Sequence, residues 1–574
     1  MLSRMIRGVL CLGAAASTAC GGDASSTAST TTAPVVVSTN ATCTSTLTLT
    51  AGQVVTGLSG TAVCVGASTS AAEYALIPFN GATAATTATF NVTATGTTAP
   101  SALPNEIATT GATFDVVAGS SLGLSASPAY QRSRTFEAGL RKMERASLPQ
   151  LIPGARIWQR QAKSQASFDA IPSSVTVGQM LRLNANANVG CSAPNYRTAR
   201  VVAVSNRAIV VADTGNPSGG YTDAEYASFA TTFDTLIDPL DRQAFGDPTD
   251  IDGNGRILLF FTKTVNDLTP ATSSSYVGGF FFGRDLFPAT ATVDFDACPT
   301  SNMGEMFYIM VPDPARGGPF TKTNVLSEVT GTLAHEYQHL INASRRMYVN
   351  TAATDFEETW LDEGLAHTAE ELLFFRVSGL QPRQNLDATA IRRSTAIINA
   401  FNNYESDNFG RYNDYLLSPS AYSPYADNDS LPTRGAIRAF LRYAADLRGA
   451  SDGDTWSKLV NSTTTGLANL QNVFGTGVIN ELRDWGVSVL ADDITGVTSA
   501  YQQPSWNYRS MFAALSSSSV FPLANMSLTP GTQSVSLTRG ANAYLRFTVA
   551  AGSTATVQWS AAPSTVQFSL VRTK

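Results

Sequence analysis

The chain has three histidines, at positions 335, 339 and 367, and all fall within 33 residues. His335-Glu-Tyr-Gln-His339 sets two imidazoles four residues apart, with a glutamate beside the first. On a helix, positions i and i+4 project from one face, so both rings can hold a single divalent ion, Zn2+ above all. Glu336 lies one step round, where its carboxylate can take a proton from a water that the ion activates. A catalytic zinc needs a third protein ligand and one open position. Glu357-Glu-Thr-Trp-Leu-Asp-Glu-Gly-Leu-Ala-His367 supplies candidates on a second expected helix. Glu363 is 24 residues beyond His339, room enough for a turn and a returning antiparallel helix. Glu363 and His367 are themselves i and i+4. Glu363 is the favoured ligand, with His367 beside the ligands or touching substrate. The competing assignment makes His367 the ligand and Glu363 its orienter. A tetrahedral oxyanion also needs a donor, for which His367, Tyr348, Tyr404 and Tyr412 are candidates, although each tyrosine taken singly reads more readily as a packing residue.

These groups need a helix that presents them. Leu326, Val329, Leu333, Tyr337 and Leu340 form a stripe roughly 80° wide at helical spacing, with His335 and His339 on the other side. One face is therefore expected to pack against the domain while the other looks into a cleft. A purely structural zinc fits poorly, because such sites usually close with cysteines and none is near.

Thr332-Leu-Ala-His-Glu-Tyr-Gln-His-Leu-Ile-Asn342, followed by Trp360-Leu-Asp-Glu-Gly-Leu-Ala366, resembles the hyicolysin family of neutral zinc metallopeptidases, within the wider gluzincin group. Asp250-Ile-Asp-Gly-Asn-Gly255 before an apolar run, and Arg434-Gly-Ala-Ile-Arg-Ala-Phe-Leu-Arg-Tyr443, are similar to that family too. The resemblance spans roughly residues 200–500 and is strongest at 332–367. It implies a thermolysin-like zincin catalytic domain that hydrolyses peptide bonds, with Zn2+ on His335, His339 and Glu363. His367 departs from it, since many glutamate-ligand zincins carry an acidic or small residue there. The expected fold class is α+β: a small sheet plus a mainly helical half, flanked by small all-β modules. The expected activity is a zinc endopeptidase acting on proteins or peptides. A zinc aminopeptidase and a catalytically inactive surface-binding lipoprotein are the alternatives.

The rest of the chain sets limits. Hydrophobic residues make up 43% of its 574 positions and charged ones 14%, as in folded domains rather than disordered chains. A net charge of −6 without a long basic run gives no reason to expect nucleic acid as a partner. Residues 1–20 read as a signal peptide: Arg4 and Arg7, an apolar run from Gly8 to Ala16, then small residues before Cys20. Lipidation of Cys20 would attach the protein to a membrane, although Ser17 stands where such signals usually carry Leu. An ordinary secretory signal is the other reading. Either places the mature chain outside the cytoplasm, as an outer-membrane or cell-surface lipoprotein or a secreted protein.

Residues 21–40 read as a flexible Ser/Thr/Gly linker, 41–127 as a β-sandwich-like spacer and 128–165 as a basic helical connector or propeptide-like segment. Residues 166–500 are assigned to the peptidase domain with a strand-rich N-terminal part, and 521–574 to a C-terminal β-module. Four cysteines remain beyond the signal, most simply paired as Cys43–Cys64 and Cys191–Cys298. Asp250, Asp252 and Asn254 match the first half of an EF-hand-type Ca2+ loop. Phe261 stands where the bidentate glutamate belongs, so a plain tight turn competes with calcium.

Overall fold

The computed structural model describes residues 45–101, 134–162, 171–269, 276–449, 451–515 and 520–574. The expected signal peptide, linker, Cys20 and Cys43 lie outside those residues. Short alternating runs give β1 (Thr46–Leu47), β2 (Val54–Val55), β3 (Ala62–Gly66), β4 (Ala72–Asn80) and β5 (Thr87–Thr95). The middle of the chain adds β6 (Met180–Asn184), β7 (Tyr196–Val204), β8 (Ala208–Asp213), β9 (Ile257–Phe261), β10 (Gly279–Phe281) and β11 (Met306–Ile309). Its end supplies β12 (Met526–Ser527), β13 (Gly531–Thr538), β14 (Leu545–Val549), β15 (Thr554–Ser560) and β16 (Val566–Arg572). Five helices build the site: α1 (Arg134–Ser147), α2 (Lys322–Tyr348), α3 (Thr359–Ser378), α4 (Ser406–Leu416) and α5 (Leu431–Arg448). The architecture is α+β.

Two separate β-modules are not what the chain forms. Strands from both ends interleave in two sheets, ordered β1-β3-β15-β5-β13 and β12-β14-β4-β16-β2. Alternation explains how β4 serves two cores: Ala72, Tyr74 and Leu76 face the sandwich interior, while Ala75, Ile77 and Phe79 join the main core. Neither end can cover its own apolar face. β5 pairs with β13 over eight residues, from Gly531↔Ala94 to Thr538↔Thr87, and β4 lies between β14 and β16. Pairing at such sequence separation leaves no local trace for periodicity to report.

The six-stranded sheet runs β10-β11-β9-β8-β7-β6, with β8, β9 and β11 parallel and β10 an antiparallel edge. Val, Ile, Leu and Phe dominate β8 and β9, which are buried throughout, as parallel strands covered on both faces must be. A disulfide joins Cys191 to Cys298, closing a separation of 107 residues. Cys64 is also disulfide-bonded.

The helix α2 starts where the Thr321 hydroxyl accepts from Asn324 N, and it ends with Arg345 and Arg346, which complement its dipole. It lies against the edge strand β10 at Gly279. A Cβ there would stand 2.7 Å from both Thr332 Cγ2 and Tyr308 O, so only glycine lets helix and strand approach this closely. On α3, a Cβ at Gly364 would stand 2.8 Å from Ile437 Cγ1, which brings α5 up to the same site.

If the sandwich is one cooperative unit, removing residues 521–574 strips β4 of both its neighbours. We expect that truncation to abolish the cooperative thermal unfolding of the remaining chain, measured by calorimetry. An unchanged transition in the truncated chain would mean independent modules.

Candidate metal centre

Val329, Leu333, Tyr337 and Leu340 are buried as the stripe predicts, whereas Leu326 is 38% exposed. The opposite face is not open. His335, Glu336 and His339 are 1–2% exposed, because α3 and the edge strand β10 pack on α2 and the Arg141 and Arg434 side chains reach Glu363 beside them. The expectation of one face looking into a cleft is therefore corrected: the groups sit in the interior.

The geometry fits a cation. His335 Nε2 and His339 Nε2 are 3.2 Å apart. Each ring's other nitrogen is committed: His335 Nδ1 donates to Glu370 Oε1 at 2.9 Å, and His339 Nδ1 donates to Asp362 Oδ2 at 2.8 Å. That fixes the tautomer in which each Nε2 carries a lone pair. Two lone pairs facing at this distance repel unless a proton or a metal lies between them. Glu363 completes the cluster, with Oε2 at 3.5 Å from His335 Nε2 and Oε1 at 3.7 Å from His339 Nε2. Two ligands about 2.05 Å from one tetrahedral zinc stand about 3.3–3.4 Å apart, so these separations match a metal's coordination shell. Ligand atoms of His335, His339 and Glu363 all lie within 4.8 Å of one another. The three form a candidate metal site.

Around it the charge is balanced. Arg434 Nη1 approaches Glu363 Oε2 to 2.8 Å without hydrogen-bond alignment and also pairs with Asp429 and Glu137. Burial alone would raise the Glu363 carboxyl, but Arg434, His339 and His335 hold it well below the usual range. Burial pulls His339 down, and Asp362, aided by Glu363, outweighs it, so its pKa is raised despite Arg141. Burial is offset in the same way at Glu370, which His367 and Arg411 keep well below an ordinary carboxyl.

Glu336 Oε2 accepts from Phe281 N of β10 at 2.8 Å, which points the carboxylate along the edge strand. The helix α1 lies over the same place. Arg141 Nη1 donates to Phe281 O at 3.4 Å, Arg141 Nε stands 4.0 Å from Glu363 Oε1, and Gly283 N donates to Glu144 Oε1 at 2.6 Å. The rings of Phe136 and Phe280 meet at 5.4 Å.

His367 is beside the ligands. Its Nδ1 donates to Glu370 Oε2 at 3.1 Å, and its buried Nε2 has no hydrogen-bond partner among the described residues, 4.0 Å from Glu363 Oε2. Burial, then Arg411, lowers its pKa well below the ordinary imidazole, so the ring is neutral. The tyrosines point elsewhere. Tyr348 ends α2, nine residues past His339 and so about 13 Å along the axis, and its hydroxyl donates to Leu286 O. Tyr404 hydrogen-bonds Thr330, five residues before His335, and Tyr412 packs among Tyr415, Tyr508 and Phe512. Asp250, Asp252 and Asn254 lie on the loop before β9.

Sequence reasoning assigned no role to Asp362, Glu370, Arg434 or Arg141. Asp362 adjoins Glu363, and Glu370 follows His367 by three residues, so helical spacing was a usable signal for both. Arg141 reaches the site only through tertiary packing.

Over 209 residues the chain is 31% identical to the neutral metalloprotease ShpI of Staphylococcus hyicus, an alignment covering 36% of this chain and 44% of that protein. The chain thus matches less than half the length of this curated relative. No family model matches.

Groups that orient a metal-binding imidazole typically contribute 10–100-fold to metal affinity. Glu370→Gln and Asp362→Asn should each weaken zinc binding by about that factor in a chelator competition. Unchanged affinity in both would remove the metal from this cluster.

Proposed function

We propose that this chain is an exported zinc endopeptidase of the hyicolysin type, with a thermolysin-like catalytic core in which His335, His339 and Glu363 hold Zn2+ and Glu336 is the general base. The observation that carries this reading is the apposition of two imidazole nitrogens, each fixed by a carboxylate on its far side, with a third carboxylate closing the cluster. The similarity to a neutral metalloprotease supports the same reading.

A Zn2+ held by His335, His339 and Glu363 would supply Lewis acidity toward a carbonyl and lower the pKa of water toward about 7. The chain's own residues do the rest. Glu336 takes the proton from water at its carboxylate and returns it to the leaving amine. Its bond to Phe281 N sets the direction of that transfer. The edge strand β10 offers an extended peptide a partner for backbone pairing. His367 Nε2 is the nearest uncommitted ring nitrogen, although as a neutral ring it donates only in the tautomer that its bond to Glu370 disfavours.

The helix α1 occupies that edge, so the described form is a covered site, and we read the 128–165 segment as propeptide-like. Arg141 places a positive charge beside Glu363, and Phe136 packs on Phe280, where substrate would lie. Export through the N-terminal segment, with lipidation at Cys20, completes the proposal. The Cys191–Cys298 disulfide supports an oxidising compartment. Among the described residues, no helix is long and apolar enough to cross a membrane.

Glu336→Gln should retain stoichiometric zinc and lose hydrolysis of casein by at least about 100-fold. Retained hydrolysis would exclude the mechanism, and a peptide-library digest yielding only N-terminal residues would favour the aminopeptidase. Loosening α1 should act in the opposite direction. Phe136→Asp is expected to raise turnover of a short fluorogenic peptide several-fold, whereas an unchanged or lower rate would contradict the covering role.

A further inference from the structure

The loop from Asp247 to Arg256 carries acidic or amide side chains at alternate positions, Asp250, Asp252 and Asn254, with Gly253 and Gly255 at φ +72° and +70°. Phe261, at the position where an EF-hand-type loop needs its glutamate, is fully buried in β9. The missing carboxylate comes from another strand. Glu305 immediately precedes β11, and β11 pairs in parallel with β9, Met306 opposite Leu258. Leu258 N donates to Glu305 O at 2.8 Å, which fixes the register.

The Glu305 side chain is anchored on one oxygen and free on the other. Oε1 accepts from Ile251 N at 2.8 Å and from Thr249 Oγ1 at 3.2 Å. Oε2 has no hydrogen-bond partner among the described residues, although the residue is only 1% exposed. A buried carboxylate oxygen without a donor is costly unless a cation or proton satisfies it. Asp250, Asp252 and Glu305 each bring a carboxylate oxygen within 4.8 Å of the others. No histidine or cysteine belongs to this group. An all-oxygen set with three negative charges suits a hard divalent cation rather than zinc.

We propose that Asp250, Asp252 and Glu305 bind one Ca2+, in a site assembled across the β9–β11 pair. Oxygens at about 2.4 Å from calcium stand up to about 4.8 Å apart, which this group satisfies. Burial, then the neighbouring Asp250, pushes the Asp252 carboxyl up to about 8, and burial with Asp252 raises Glu305 well above its ordinary range. A bound dication removes that penalty. Gly304 keeps the space open, since a Cβ there would stand 3.2 Å from Asp252 Oδ2. The loop also touches α2, where Thr249 N donates to Ser344 Oγ at 3.4 Å, five residues beyond His339.

The test uses the full chain, stripped of divalent ions, reloaded with one equivalent of Zn2+ and titrated with CaCl2 by calorimetry. Thermal melting is followed in parallel. The wild type should bind Ca2+ and melt at least about 3 °C higher with it. Glu305→Gln and Asp250→Asn should each lose one equivalent or weaken it at least about tenfold, with zinc content unchanged. Asp250 is exposed, so its variant remains informative if Glu305→Gln fails to fold. Absence of Ca2+ binding in the wild type, unchanged affinity in Asp250→Asn, or an equal response to MgCl2 would overturn the proposal.

Discussion

Charge buried without water must be balanced, and that constraint shapes this molecule more than any single contact. Glu336, Glu363, Glu370, Glu137 and Asp429 are all at least nine-tenths buried together with three histidines. Isolated carboxylates in such surroundings would take up protons rather than remain charged. Here Arg434 gathers Glu363, Asp429 and Glu137, while Arg411 compensates Glu370, which also accepts a hydrogen bond from the neutral His367 ring. The buried carboxylates outnumber the guanidinium groups paired with them, and two imidazole nitrogens face each other at the centre of the cluster. A dication at that point satisfies the arrangement, which is why the metal reading follows from the core's electrostatics as well as from the motif.

The same balance gives the surrounding helices their arrangement. Two glycines permit it: Gly279 lets β10 approach α2, and Gly364 lets α5 approach α3. Close approach places Phe281 N against Glu336 and Arg434 against Glu363. The helix α1 then takes Glu137 to Arg434 and Arg141 toward Glu363, so it is held by the charges it covers. Disturbing one member therefore shifts several, and single substitutions at the site report on the network as well as on chemistry.

What could be read from the sequence was what helical spacing encodes. His335, Glu336 and His339 are adjacent on α2, and Glu363 is one short connection away, so the sequence brought forward the cluster the fold assembles. The tyrosine candidates were chosen by chemistry alone, and packing carries Tyr348 and Tyr412 elsewhere. Glu305 could not be found from spacing, because it meets Asp250 and Asp252 only through the parallel pairing of β11 with β9. The interleaved sandwich was hidden for the same reason: β5 meets β13 more than four hundred residues away, and alternation reveals a strand without naming its neighbour.

X-ray absorption at the zinc edge on the purified full-length chain tests the central claim most directly, because it reports ligand type and distance together. Two imidazole nitrogens and a carboxylate oxygen, all at about 2.0–2.2 Å, with both imidazole signals lost in a His335→Ala, His339→Ala double variant, is the result expected. A sulfur-coordinated zinc, or the same spectrum from the double variant, would contradict it.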